Sequence, residues 1–327
     1  MIFSANRWND ADEMKRFVPV SSALSFENLE SALRDAFDLF VIPILGEPTA
    51  RRIVQIYQAA ERSEAEALVL DTCQRAVANL AFWYDFDELS VRITDQGVQR
   101  QESDTFKSAY KYQEDNLRRG FKNKGFNALD RLIDLLDRHL AEFPEFAKAP
   151  AHDHRAEALV RSTAEVDRIY FINRSHLVFL RLQPIFRTVE QTTLRPLLGT
   201  KLYEALTVAL ASGKESIGTP GSTEDLRRRC ADFVVLRSVA QLLRTTGSIT
   251  DRGLYFSQVL PAAGSGESLQ PVDTERLALE VNRVETSATA YEHILMTWIE
   301  NTLPEYFQGR QSRVLDRDND GHKTFFA

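Results

Sequence analysis

The sequence predicts a mainly α protein made of two pseudo-repeated helical-bundle domains, each with a short β-hairpin. Three observations lead there. Apolar residues recur at spacings of three and four along most of the 327 residues, as on amphipathic helices. The stop Pro43-Ile44-Leu45-Gly46 returns as Pro196-Leu197-Leu198-Gly199, 153 residues later. Other landmarks recur in the same order around it, at offsets that drift only from 153 to 160.

Composition sets the frame. A 37.2 kDa chain with 43% hydrophobic and 27% charged residues is ordinary for a globular protein and long enough for one large domain or two ordinary ones. A net charge of −7 argues against general binding of nucleic acid through phosphate contacts. No apolar run is long enough to span a bilayer, so no membrane partner is expected. The stretch from Met1 through Met14-Lys15-Arg16 lacks the apolar core of a signal peptide. Cys73 and Cys230 both fall in helical patterns and read as small core residues rather than a disulfide.

In chain order, Phe17-Val18-Pro19-Val20 is a short apolar lead-in, and Ser22 and Ser25 are candidate N-caps. Phe26, Leu29, Leu33, Phe37 and Phe40 then mark an amphipathic helix, which the spacing ends at Pro43 to Gly46. A helix over 49–61 follows, then a strongly apolar one over 63–86 that reads as the central buried helix. At Leu89, Val91 and Ile93 the period changes to two. With the turn Asp95-Gln96-Gly97 and Val98 this predicts a hairpin. A helical region spans 103–143, with a break expected near 120–126 because Gly120 and Gly125 weaken it. Phe143-Pro144-Glu145-Phe146 stops it, and 147–155 has the composition of a linker.

The second half repeats this order. Tyr170-Phe171-Ile172 stands where Phe17-Val18-Pro19 stood, and Ser175 where Ser22 stood. Helices over 176–195 and 200–212 flank Pro196 to Gly199, and a Gly/Ser/Thr/Pro loop, 212–222, leads to a very apolar helix over 223–244. Ile249-Thr250-Asp251-Arg252-Gly253-Leu254 then parallels Ile93-Thr94-Asp95-Gln96-Gly97-Val98. A helix over 273–302 ends in Leu303-Pro304-Glu305-Tyr306, against Phe143-Pro144-Glu145-Phe146. Pro-Gly stops recur in any helical protein, but four collinear matches point to tandem duplication; the period is too long for a solenoid of short repeats. The division is 1–148 for the first unit, 149–158 for a linker, 159–307 for the second unit and 308–327 for an extended tail. The loop 257–273, with Ala262-Ala263-Gly264-Ser265-Gly266, is longer than its counterpart and marks either a surface loop or a partner contact.

Candidate sites are few. The tail is polar yet carries Val314, Leu315, Phe325 and Phe326, and exposed paired aromatics suggest docking into a partner. Asp316, Asp318, Asp320 and Gly321 match the start of a calcium loop, but its twelfth position is Ala327 and not Glu, which favours a solvated acidic turn. His152-Asp153-His154 lacks a third partner at a familiar metal-ligand spacing. The basic cluster Arg118-Arg119-Lys122-Lys124 is interleaved with Phe121 and Phe126, as in a nucleic-acid contact, and Arg227-Arg228-Arg229 forms another. With the net negative charge, solvated faces are the plainer reading of both. No G-x-S-x-G, P-loop, G-x-G-x-x-G or H-E-x-x-H occurs, so neither an enzyme nor a cofactor or metal site is expected.

A short apolar lead-in, a helix closed by Pro-x-Leu-Gly, and an apolar helix ending in aromatics before a hairpin together resemble a prophage-associated helical family. They are also similar to the small helical head–tail connector (adaptor) proteins of tailed phages. The stretch from Ile169-Tyr170 through Ser175, Phe179, Leu182, Glu190 and Pro196 to Gly199 carries the resemblance best. The resemblance implies a structural virion protein of the neck, assembled in the host cytoplasm as a ring under the portal. Its partners would be copies of itself and portal and tail or neck proteins, with DNA sliding through the channel without sequence-specific binding. It implies no catalytic residue. The departure is size, since one chain here holds two units. The alternative is a nucleic-acid-binding or DNA-packaging accessory protein of a phage, working through the basic clusters.

Overall fold

The structure, a computed structural model, describes residues 1–4, 12–19, 26–89, 92–94, 97–99, 111–152, 158–218, 222–246 and 274–307. The protein is mainly helical. Its first half runs α1 (Glu30–Ala36), a π-helical turn (Phe37–Val41), α2 (Ile42–Gln58), α3 (Glu64–Tyr84), a ladder of strands β1 (Arg92–Thr94) and β2 (Gly97–Gln99), and α4 (Lys111–Arg138). A 3-10 turn, Pro144–Lys148, follows. The second half runs α5 (Thr163–Ile169), α6 (His176–Val189), a second π turn (Glu190–Leu194), α7 (Arg195–Leu198), α8 (Thr200–Ser212), α9 (Ser222–Thr246) and α10 (Thr274–Thr302). The ladder is antiparallel, with Ile93 opposite Val98. The hairpin expected at 249–254 lies outside the described residues, as do Ser22, Ser25 and the loop 257–273.

Two apolar cores form, one in each half. In the first, α3 packs on α4 and α1, and Cys73, Val77, Leu80, Leu129, Leu132 and Leu136 are buried together. In the second, α9 packs on α10 and α6 around Cys230, Phe233, Val234, Leu295 and Ile299. Both cysteines are free and buried, as their setting predicts, and burial pushes the Cys73 thiol up to about 12. Ser63 caps α3 by accepting from the Glu66 N–H at 3.1 Å, while Glu66 accepts from the Ser63 N–H at 3.0 Å.

The Pro-x-Leu-Gly segments are not simple stops. In both halves the helix continues through the proline, by way of a π turn immediately before it. Proline has no N–H to donate and its ring crowds the carbonyl four residues back, so a widened turn at that point relieves the conflict. The chain breaks three residues on, at Gly46 (φ 74°, ψ 153°) and Gly199 (φ 78°, ψ 153°), a conformation open to glycine and strained for other residues. Ser175, expected as a counterpart of Ser22, caps α6 by accepting from the Val178 N–H at 3.2 Å.

Two other expectations are corrected, and one helix is added. The helix does not break near 120–126, because α4 is continuous and its apolar face is held by α3. A Cβ on Gly125 would lie 2.7 Å from Leu80 Cγ, so glycine there permits close helix contact. The expected linker begins as part of the first core: Ala149 and Ala151 are buried, and the Ala151 N–H donates to the Ile44 carbonyl at 3.1 Å. Helix α5, which the periodicity does not reveal, is capped by Ser162.

Candidate functional site

A groove of about 480 Å³ opens in the first half, within the range of roughly 300–1,000 Å³ typical of ligand pockets. Met1, Ile2 and Phe3 form one wall, and Leu33, Phe37, Ile42, Ala50 and Val54 the others. The rim is polar, with Arg34, Asp38, Glu47, Arg51 and Gln55. Arg34 pairs with Glu30 at 2.9 Å and Arg51 with Glu47 at 3.0 Å. The Met1–Phe3 wall is fixed from below: Gln74 Nε2 donates to the Ile2 carbonyl at 2.7 Å and to Glu13 Oε1 at 2.9 Å, and Phe3 meets Phe17 edge-on. The π turn and the Gly46 break together set α1 and α2 at the angle that leaves this space.

Positions 153 residues on show what could fill it. From Phe26/Phe179 to Ile56/Ala209 most buried positions of the two halves coincide: Leu29/Leu182, Leu33/Phe186, Val41/Leu194, Leu45/Leu198 and Ile53/Leu206. Within that register Ala50 corresponds to Tyr203 and Phe37 to Glu190. Tyr203 is only 8% exposed; it receives a hydrogen bond from Gln191 Nε2 at 3.1 Å, and the Arg195 guanidinium lies 5.8 Å from its ring centroid. Those two neighbours stand at the positions of Asp38 and Ile42, which line the groove. Burial pushes the Glu190 carboxyl up to about 7, against a smaller pull down from Arg187.

A second assembly of polar groups joins the halves. Asp130 of α4 accepts from the backbone N–H groups of His176 at 2.6 Å and Leu177 at 3.1 Å, at the start of α6. Burial raises the Asp130 carboxyl, against those bonds and one from Ser175. Leu177 is buried in the first core and Leu180 packs against it. His152 Nδ1 lies 2.9 Å from Asp137 Oδ1.

The tail residues Val314, Leu315, Phe325 and Phe326 lie outside the described residues, as do Asp316, Asp318, Asp320, Asp153 and His154. Among the described residues no group of three or more His, Cys, Asp or Glu side chains could hold a metal ion. No described helix is long and apolar enough to cross a membrane. Several members of the basic clusters are committed to packing. Phe121 and Phe126 are core residues against Phe82 and Trp83. Lys122 is buried with its ammonium 5.4 Å from the Trp83 ring centroid. Arg227 is 2% exposed and bonded to Glu165 at 2.6 Å and Glu224 at 2.8 Å, while Arg229 lies over Trp298. The groove and the seam are not marked by any motif. The signal that could have found the groove is the pair Ala50/Tyr203, a small residue set against a large one 153 positions on.

A family of unknown function, DUF6712, matches residues 41–156. No curated protein and no solved structure matches the chain.

Proposed function

We propose that the chain is a structural virion protein, a head–tail connector or adaptor subunit of the neck that assembles as a ring under a portal. In this reading it meets portal and tail or neck proteins and lets DNA pass without sequence-specific binding. It consists of two duplicated helical domains, 1–148 and 159–307, each with a hairpin, followed by a tail at 308–327. The duplication is supported by the paired π turns, the matched glycine breaks and the shared register of buried positions.

The observation that carries the ring reading is the seam. The two halves meet through unlike surfaces, the α4 face of the first and the α6 start of the second. Such head-to-tail contacts, repeated from copy to copy, close into rings when the rotation permits. The assignment to a phage neck rests on the resemblance of the 169–199 stretch. The alternative, a nucleic-acid-binding or packaging accessory protein, draws less support, since the aromatic and several basic residues of its clusters are committed to packing. Native mass measurement with negative-stain imaging tests the reading: rings of fixed stoichiometry are expected. A monodisperse monomer at all concentrations, with salt-sensitive DNA binding, would overturn it in favour of the alternative.

A further inference from the structure

We propose that the groove between Met1–Phe3, α1 and α2 receives Phe325-Phe326 from the 308–327 segment of a second copy of this chain. The proposal rests on the ring reading above and names the contact that links neighbouring copies.

Three observations lead to this occupant. First, the register of the two halves says what shape the groove fits. Tyr203 is buried at the position of Ala50, beside Gln191 and Arg195, whose counterparts Asp38 and Ile42 line the groove. The second half thus supplies its own aromatic ring where the first half leaves room for one. Second, the walls are apolar and aromatic, Phe37, Ile42, Val54 and Phe3, and suit a phenyl ring at van der Waals distance. The rim carries both signs of charge, and Lys323, two residues before Phe325, complements Asp38. Third, the chain itself holds such a ligand. Beyond Phe307 come 308–327, a polar stretch with paired phenylalanines. Extended, the run from Phe307 to Phe325 spans up to about 60 Å, at roughly 3.3 Å per residue, which exceeds the diameter of a small domain. The segment can therefore leave its own half and reach an adjacent copy. Burying two phenyl rings in a preformed groove supplies affinity at little cost in groove rearrangement.

The test uses the full-length chain with Phe326 replaced by the photocrosslinking residue p-benzoylphenylalanine. Copies grown on light and heavy nitrogen are mixed, assembled and irradiated. Crosslinks to residues 33–55 are expected, about half of them joining a light to a heavy peptide, as random mixing of neighbours requires. Crosslinks confined to peptides of one label would place the segment in its own chain and overturn the proposal, and so would crosslinks to any other surface. In parallel, F325A/F326A and A50Y are compared with the unmodified chain in a concentration series of native mass. Both are expected to raise the concentration of half-assembly about tenfold or more. If A50Y does not fold, F325A/F326A decides alone. Rings that persist unchanged in F325A/F326A overturn the groove contact and leave the ring reading standing. An unmodified chain that is monomeric throughout overturns both.

Discussion

At the corner after the π turn the two halves of the chain share a backbone and differ in what fills it. Gly46 and Gly199 adopt the same left-handed conformation, and the buried leucines around them coincide. Yet Ala50 lines a groove where Tyr203 is a buried ring, and Phe37 gives an apolar wall where Glu190 gives a titratable group. The shared residues are those that define the path of the chain: a proline that calls for a widened turn, a glycine that permits the break, and apolar residues facing α3 or α9. The residues that differ are themselves buried beside that frame: Ala50 is 2% exposed and Tyr203 8%.

The largest expected effect lies at another such difference. At an offset of 157, Cys73 aligns with Cys230, Val69 with Leu226 and Leu70 with Arg227, all buried. Where the first half has a leucine, the second has a guanidinium bonded to Glu165, Glu224 and the Leu159 carbonyl. These bonds hold the Glu224 carboxyl down at about 2. Arg227→Ala removes the cation and leaves Glu165 without its main partner. A loss of about 3–5 kcal/mol is expected in urea unfolding. Arg227→Met, nearer to the leucine of the first half, should lose less, because it keeps the apolar packing. An equal loss in both would mean that the bonds, and not the packing, hold α5 on α9.

Glu190 gives the next effect, and its sign is opposite to that of an ordinary salt-bridged acid. Its folded pKa, about 7, lies above the usual glutamate value of 4.5, chiefly through burial. Between those values the folded state holds more protons than the unfolded one, so stability falls as pH rises from about 4.5 through 7. The loss is on the order of 2–3 kcal/mol at pH 8. Glu190→Gln should regain most of it and flatten the profile over that window, in urea titrations at pH 5, 6, 7 and 8. Asp85, raised to about 6 by burial and by Glu88 and Asp35, adds a smaller fall that persists in the variant. Phe37→Glu would create the same slope in the first half and sharpen the comparison.

Much of this frame is legible in sequence. The spacing of Phe26, Leu29 and Leu33, the apolar run of α3, and the paired Pro-x-Leu-Gly segments place most helices within a few residues. What sequence does not show is geometry that depends on contact. Proline reads as a stop, because the π turn that accommodates it leaves no mark in residue type. Phe121 and Phe126 beside lysines admit either a solvated face or a nucleic-acid contact, since periodicity alone does not tell which face of α4 meets α3. The groove is hidden for a related reason: Ala50 looks like any small helical residue until Tyr203 is set beside it. The site residues expected in the tail have no structural account here, as they fall outside the described residues.

The helix pairs at the centre of each half differ in what stands at their contact. Gly125 lets α4 approach Leu80, with a Cβ there meeting Leu80 Cγ at 2.7 Å and the Leu80 nitrogen at 3.1 Å. At an offset of 160, where Phe143 aligns with Leu303, the second half has Glu285, bonded to Arg244 at 2.5 Å. Gly125→Ala is expected to cost about 1–3 kcal/mol, since the backbone contact cannot yield as a side chain can. Asp130→Ala acts on the seam instead. It leaves the first N–H groups of α6 without their acceptor, for about 1–2 kcal/mol. Hydrogen exchange should rise at His176 and Leu177 while α4 keeps its protection. Equal loosening of both helices would mean that Asp130 supports its own core rather than the contact between halves.

Gly120 provides the smallest effect and separates two reasons for a glycine in a helix. It lies in α4 five residues from Gly125, but nothing lies within 4 Å of an added Cβ. Alanine there should stabilise by about 0.5–1 kcal/mol, by restricting the unfolded chain. The opposite signs expected for Gly120→Ala and Gly125→Ala would tie the continuity of α4 to packing on α3, through Phe82, Trp83, Phe121 and Phe126, and not to intrinsic helix preference. A destabilising Gly120→Ala, by thermal unfolding, would instead indicate a close neighbour at that face.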